Sequence, residues 1–258
     1  MTVHSKIDPT AGPQANIGHW NERVDLAAAF RWTARLDLHE AVANHFSLAV
    51  SEDGAQFLMN PNQKHFSRIK ASDLLLLDAN DRATLDAPDA PDLSAWYLHG
   101  AIHRNCPRAR CAMHVHSIFA TVLASLKDST LLPIDQNTAT FYNRTVIDED
   151  FGGVAFEQEG ERCAALFADP SKKVMIMGNH GVMVIGDSVA DTFNRLYYFE
   201  RAAETYIRAL QTGRDLRVLS HDIAEKTARE LEDYPGQAER HFSELKAILE
   251  EEGVNYAT

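Results

Sequence analysis

Two histidines that stand two residues apart, His114 and His116, form the pair in this sequence best placed to do chemistry. They lie in the short stretch Cys111–Ser117, whose small and apolar residues predict a β-strand. Residues i and i+2 of a strand point to the same face, so both imidazoles can reach one point while Val115 packs on the opposite side. A strand can present two ligands to a metal ion in this way. The alternative is chance proximity, because the chain holds 12 histidines.

A third histidine lies in a glycine-flanked turn. The turn Gly178-Asn179-His180-Gly181 separates two apolar segments, 174–177 and 182–185, that we predict to be strands. The glycines allow a sharp turn and a close approach of the backbone to other groups. Three protein ligands leave positions free for water or substrate, as in catalytic metal sites. A solvated histidine in an ordinary hairpin turn is the alternative.

Strands and helices alternate along the chain, which favours one α/β domain built around a central sheet. Helical periodicity predicts helices, and short apolar runs bounded by turn residues predict strands. The predicted helices cover residues 21–38, 93–104, 118–126, 159–167 and 188–210, with two more between 222 and 251. The predicted strands outside the histidine segments cover residues 46–51, 56–60 and 74–78. The segment 129–153 is predicted to be an irregular loop, and a loop of that length usually has a function.

The composition limits the classes of function. With 258 residues the chain can bury a substantial core, and its 45% hydrophobic content is ordinary for a globular protein. The net charge of -12 argues against binding nucleic acid or an anionic membrane. Three irregularly spaced cysteines predict reduced thiols. No secretory signal or membrane-spanning run is evident, so we expect a cytoplasmic protein.

Beyond the histidines, several segments stand in an order that resembles the class II aldolase/adducin family, in particular its adducin-like branch. These segments are Asn44–Ser47, Phe57–Pro61, Trp96–Ile102, Met113–Ser117, Gly178–Val182, and the helix after Gly186. The resemblance covers residues 20 to 215. It implies a three-layer α/β/α fold around a central mixed, largely antiparallel sheet. It also implies a homotetramer with active sites between subunits.

The same resemblance implies a divalent metal bound by His114, His116 and His180, with Zn²⁺ the expected ion and Fe²⁺ or Mn²⁺ the alternatives. The resemblance implies a class II aldolase/adducin-like domain over residues 19–215, and we expect residues 1–18 to form a flexible N-terminal arm. Residues 216–258 then form a helical extension packed on that domain.

One departure from the family pattern concerns the acid/base. Family aldolases carry a glutamate just before the Trp-x-x-His helix, and that position is Ala95 here. His99 lies on the same helical face and could relay a proton instead, or it could be structural. Glu200 could orient a ligand imidazole, or it could form a salt bridge to Arg201 or Arg195.

The long loop offers three further polar candidates. Tyr142 could move a proton, and Asp135 and Gln136 could hydrogen-bond a substrate, in the same subunit or a neighbouring one. The alternative is an ordinary polar loop packed by Phe141.

These residues favour a metal-dependent lyase that acts on a C–C bond of a small hydroxy-carbonyl or hydroxy-acid substrate. The expected chemistry is of the aldolase or decarboxylase type and passes through a metal-stabilised enolate. One alternative is a non-catalytic adducin-like module for oligomerisation or interaction, although this chain retains all three histidines. A non-haem iron oxygenase is the other alternative, because three histidines can also hold Fe(II).

Overall fold

The computed structural model describes residues 17–152 and 157–258, and its centre is a seven-stranded sheet. The strands are β1 (His45–Ala49), β2 (Gln56–Met59), β3 (Leu75–Asp78), β4 (Cys111–Val115), β5 (Thr145–Asp148), β6 (Val174–Met177) and β7 (Gly181–Gly186). Their spatial order is β3-β2-β1-β4-β7-β6-β5. Neighbouring strands are antiparallel except β5 and β6, which are parallel. The expected mixed, largely antiparallel sheet is therefore confirmed.

Helices cover both faces of this sheet. They are α1 (Trp20–Arg35), α2 (Leu93–Asn105), α3 (Ile118–Ala124), α4 (Gln136–Thr140), α5 (Glu157–Leu166), α6 (Val189–Gln211), α7 (His221–Glu232) and α8 (Gln237–Glu251). Helices α1, α3, α6 and α8 share one buried apolar core with the sheet, and α2 and α5 pack against it in separate apolar clusters. The expected three-layer α/β/α fold is confirmed.

The alternation of strand β4 decides which side of the sheet receives the first histidine. Met113 and Val115 belong to the core beneath α1, α3 and α6, whereas Ala112 belongs to the core beneath α2 and α5. Because successive strand residues point to opposite faces, His114 lies on the same side as Ala112. The imidazole of His114 therefore faces the layer that contains α2.

Two predicted segments need correction. The first helix ends at Arg35 and not at residue 38, because Asp37 adopts a left-handed conformation with φ of 56°. The segment 129–153 is not wholly irregular, since it contains α4 and the edge strand β5. Both elements are very short, and β5 is only partly buried, so neither produces a clear hydrophobic period.

Near the C-terminus, α8 contributes Phe242, Leu245 and Leu249 to the main core. The indole N–H of Trp32 in α1 also donates to the carbonyl of Leu245 at 2.8 Å. The domain boundary expected near residue 215 stays a prediction. Residues 1–16 of the predicted N-terminal arm lie outside the described residues. Among the described residues, no helix combines the length and apolar content needed to cross a membrane.

Candidate metal centre

Three imidazole rings converge at one end of strand β4. His114 Nε2 lies 2.9 Å from His116 Nε2, which in turn lies 3.1 Å from His180 Nε2. His114 is buried, and His116 and His180 are half-buried. The ring of His180 stacks between those of His114 and Phe151. The structure thus brings together the three histidines that the sequence analysis selected as metal ligands.

The pairing of β4 with β7 explains how residues distant in sequence meet. Val115 lies opposite Val182 in this antiparallel pair, so the turn before β7 lies beside His116. Gly181 is required there, because a Cβ atom at that position would lie 2.5 Å from the carbonyl oxygen of Val115. Asn179 adopts a φ of 56°, a conformation that asparagine tolerates better than most residues. These backbone constraints hold His180 over the end of β4.

Hydrogen bonds on the far side of two rings fix which nitrogen faces the centre. His114 Nδ1 donates to the carbonyl oxygen of Val182 at 3.0 Å. His116 Nδ1 donates a hydrogen bond to a carboxylate oxygen of Glu40 at 2.5 Å. When Nδ1 carries the donated proton of a neutral imidazole, Nε2 carries the lone pair. This arrangement of an imidazole between an acceptor and a central point is typical of metal-binding histidines.

The electrostatic environment keeps two of these rings neutral. Burial, together with the neighbouring His116, lowers the pKa of His180 to about 4. Burial and the surrounding histidines hold the pKa of His114 well below its ordinary value. A lowered pKa favours the neutral imidazole, so both rings offer free lone pairs at pH 7. The donor set therefore suits a divalent cation.

Behind the centre lies a buried string of hydrogen-bonded side chains that joins β1 to α2. His45 Nδ1 lies 2.8 Å from His99 Nε2, and His99 Nδ1 contacts Ser47 Oγ. Ser47 Oγ lies 2.6 Å from His103 Nε2, and His103 Nδ1 lies 2.6 Å from the carbonyl oxygen of Ala109. Burial lowers the pKa of His45 to about 3 and that of His103 to about 4, and places the pKa of His99 well below its ordinary value. All three rings are therefore neutral at pH 7.

The carbonyl of Ala109 sets the direction of every hydrogen bond in this string. A carbonyl only accepts, so His103 donates from Nδ1 and must accept at Nε2 from the Ser47 hydroxyl. Ser47 then accepts from His99 Nδ1, and His99 Nε2 accepts from His45 Nδ1. The network assigns His45 a bare Nε2 with an available lone pair. The ring of His45 also stacks on His114, with centroids 4.8 Å apart. This acceptor therefore lies next to the tripod formed by His114, His116 and His180.

The structure changes the interpretation of the predicted acid/base. Ala95 is buried, and its methyl group offers no acid or base. His99 is fully buried, and both of its ring nitrogens are engaged, by His45 and by Ser47. His45 lies between His99 and the tripod, although its spacing in the sequence gave no reason to select it. The antiparallel register that places His45 opposite His114 brings it there.

Glu200 takes neither of its two predicted roles. It forms no salt bridge to Arg195 or Arg201 among the described residues, since Arg195 instead pairs with Asp191 at 2.8 Å. Its carboxylate accepts hydrogen bonds from the Ser117 hydroxyl and from the backbone N–H groups of Phe119 and Ala120, at 2.6 to 3.0 Å. Glu200 therefore fixes the start of α3, directly after His116, and the carboxylate that orients a tripod imidazole is that of Glu40.

In the described part of the chain, the three candidate residues of the loop do not hydrogen-bond to the three histidines. The Tyr142 hydroxyl lies 3.0 Å from His221 Nδ1, and the Asp135 carboxylate accepts from the N–H and the hydroxyl of Thr138 to cap α4. Gln136 is exposed. Within residues 17–152 and 157–258, none of these three side chains hydrogen-bonds to the tripod, and their catalytic or substrate-binding roles stay predictions.

A second group of potential ligands forms ion pairs with Arg162. Its members are Asp148, Glu159 and Cys163, and the two carboxylates make the pairs. The guanidinium of Arg162 donates to both oxygens of Asp148 at 2.7 Å and to the carboxylate of Glu159. Burial raises the pKa of the Cys163 thiol to about 12, so this sulfur is protonated and a poor ligand at pH 7. Arg162 therefore supplies the positive charge in this cluster, in the place of a metal ion.

Comparisons with known proteins agree with this fold. A family model described as the Class II Aldolase and Adducin N-terminal domain matches residues 24–207. A Pseudomonas aeruginosa relative with a provisional class 2 aldolase name is 31% identical over 219 residues, which cover 84% of this chain and 82% of the relative.

Two solved structures have the same architecture. An aldolase II superfamily protein from Pseudomonas syringae has a TM-score of 0.82 and 29% identity, covering 96% of this chain and 98% of its own. An L-fuculose 1-phosphate aldolase from Glaciozyma antarctica has a TM-score of 0.78 at 21% identity, covers 96% of each chain and shows the fold alone. With the family model matching most of its length, this chain belongs to the class II aldolase/adducin family.

Proposed function

We propose that this protein is a divalent-metal-dependent lyase that acts on a C–C bond of a small hydroxy-carbonyl or hydroxy-acid substrate. The observation that carries the proposal is the convergence of three imidazole Nε2 atoms, two of them fixed as lone-pair donors by Val182 and Glu40. Three ligands leave room for substrate in the coordination sphere, as in other catalytic metal sites.

The spacing of the nitrogens supports a small divalent ion, with zinc as our proposed identity. Two imidazole ligands of a tetrahedral zinc ion, each bonded at about 2.0–2.1 Å, lie about 3.3 Å apart. The two nitrogen separations of 2.9 and 3.1 Å along the tripod are close to that value, so small ring movements would admit the ion. Fe²⁺ and Mn²⁺ also accept imidazole and stay as alternative identities.

The chemistry follows from this donor set and its neighbours. A divalent cation there would supply Lewis-acid stabilisation to negative charge that develops on a substrate oxygen. His45 offers a hydrogen-bond acceptor beside His114, and the side chain of Ala95 offers no acid or base. A reaction such as decarboxylation, in which loss of CO₂ generates the carbanion without a base, suits this site. Aldol cleavage is the alternative, and His45 would then be a candidate proton acceptor.

The competing proposal is a non-catalytic interaction module, because the family includes adducins as well as aldolases. The two proposals differ in metal content. A module that acts only through its surfaces does not need a bound metal ion, whereas the lyase needs one in each chain.

We expect purified protein, handled without chelators, to hold about one divalent ion per chain, the content of a single three-histidine site. Replacing His180 with alanine removes one of the three ligands and should reduce the bound metal to near zero. Elemental analysis measures both values and identifies the ion. His241→Ala is the matched control, since His241 pairs with Asn194 away from the tripod and should retain the metal. Wild-type protein without stoichiometric metal would contradict the lyase and favour the interaction module.

Glu40→Gln should weaken zinc binding about tenfold. Partners that orient a ligand imidazole contribute about 10–100-fold in metal affinity, and Glu40 is largely exposed, so we expect the lower end of that range. Competition with a chromophoric chelator measures the affinity. Glu52→Gln, at an exposed turn, is the control for loss of one surface charge. An affinity equal to that of the wild type would show that Glu40 does not orient His116.

We also propose that the protein is a homo-oligomer, with a tetramer favoured. Ile118 and Val122 in α3 and the following Leu126 are exposed at a spacing of four residues, which makes an apolar stripe directly after the tripod strand. Sedimentation velocity should give a species near four times the chain mass of 28.8 kDa. Val122→Glu should dissociate it, whereas Ile223→Glu, at an exposed position on α7, should not. A wild-type protein that sediments as a single chain would refute this assembly.

A further inference from the structure

A cavity of about 180 Å³ opens beside the tripod, between the start of β1, the end of β2 and the start of α2. Its walls include Asn44, His45, Met59, Asn60, Asp92 and Ala95. Two contacts join it to the tripod: the His45 ring stacks on His114, and Asn44 Oδ1 accepts from the backbone N–H of His116 at 3.5 Å. The cavity is smaller than the roughly 300 Å³ of a typical drug-sized site, so it suits one short end of a small molecule.

The charge of the wall is unsuited to an anion. Among the described residues that line the cavity there is no lysine or arginine, and Asp92 contributes a carboxylate. The first N–H groups of α2 could in principle hold an anion, but the Asp92 carboxylate already accepts from the N–H groups of Ser94 and Ala95. A phosphate or carboxylate in this cavity would therefore meet the like charge of Asp92 and no cationic side chain of the wall.

The hydrogen-bonding groups of the wall match hydroxyls. Only 2% of the surface of Asn44 is exposed, and its side-chain Nδ2 donor has no hydrogen-bond partner among the described residues. His45 presents a bare Nε2, because its Nδ1 proton is committed to His99. The amide of Asn60 is already used by the backbone of Phe46, Asn44 and Pro61. One unused donor and two acceptors, His45 Nε2 and the Asp92 carboxylate, suit a hydroxyl group, which donates and accepts, better than an acceptor-only anion.

We propose that this cavity is the specificity subsite of the enzyme and that it binds an uncharged, hydroxyl-bearing end of the substrate while rejecting a phosphorylated one. This inference rests on the proposed function, since the tripod would hold the reacting end of the same molecule. It assigns the substrate class as a short unphosphorylated hydroxy compound. Asn44 would donate to a substrate oxygen, and His45 would accept from a substrate hydroxyl.

Glycerol and glycerol 3-phosphate provide a matched pair of probes that differ by one phosphate. Full-length protein carrying ¹³C-labelled methionine and alanine methyl groups can be titrated with each probe and followed by NMR. Met59 and Ala95 line the cavity and report on its occupancy. We expect glycerol to shift these two signals and to bind at least about tenfold more tightly than glycerol 3-phosphate, a modest effect for the exclusion of a charged group by a like charge.

A charge-neutral variant tests the reason for the selectivity. Asp92→Asn keeps a residue that can cap α2. It should reduce the ratio of the dissociation constants of glycerol 3-phosphate and glycerol about fivefold, which is the effect of one unit charge at close range in a solvated site. Asp81→Asn is the control, since Asp81 also accepts a hydrogen bond from the first turn of a short helix but is not part of the cavity wall. Asp81→Asn should leave the ratio of the two dissociation constants unchanged.

The outcomes separate the subsite from the lyase. Tighter binding of glycerol 3-phosphate, or no shift of the Met59 and Ala95 signals with glycerol, would overturn the proposed subsite even if the protein holds zinc. Measuring zinc in the same samples, and repeating the titration after chelation, tests the metal independently. Selective glycerol binding in a protein that cannot hold metal would support the subsite and contradict the proposed function.

Discussion

The convergence of three nitrogen lone pairs is the constraint on which the other features of this site depend. Converging Nε2 lone pairs repel one another, so the backbone must impose the separations of 2.9 and 3.1 Å between these nitrogens. The antiparallel pairing of β4 with β7 imposes part of it, and the close approach at Gly181 imposes the rest. Glu40 and Glu200 then fix the two sides of His116, the first at its ring and the second at the start of the helix that follows.

A second constraint reaches the site from β1, which flanks β4 on the side away from β7. The string from the Ala109 carbonyl through His103, Ser47 and His99 has only one direction that leaves no buried group unpaired. Reversing any one bond would strand a buried donor or acceptor, at a cost of about 1–3 kcal/mol. The string therefore delivers a defined tautomer of His45 to the edge of the tripod. Position Ala95 offers no side-chain acid or base, and the polar chemistry of this region comes from β1 instead.

The sequence predicts the parts of the site that depend on local pattern. The i and i+2 spacing of His114 and His116 follows from the two-residue period of a strand, and the turn around His180 follows from its glycines. The layers of the fold and the long helix α6 follow from hydrophobic periodicity and from the family resemblance. These predictions need no knowledge of which elements pack together.

The features that were not predicted all depend on pairings between distant segments. Glu40 and His116 are 76 residues apart, and Glu200 and Ser117 are 83 residues apart. His45 meets His114 only because β1 and β4 pair in one register, and a shift of one residue would point His45 to the opposite face. Tyr142 and Asp135 were selected because polar loops often carry function, but their side chains are used to contact His221 and to cap α4.

Zinc X-ray absorption spectroscopy of the metal-loaded protein tests the central claim most directly, because it reads the atoms bound to the ion. We expect a first shell of about three imidazole nitrogens at about 2.0–2.1 Å, completed by oxygen and free of sulfur. A sulfur ligand at about 2.3 Å would place the ion at a cysteine and would contradict the tripod. A shell without the multiple-scattering signature of imidazole would contradict it equally.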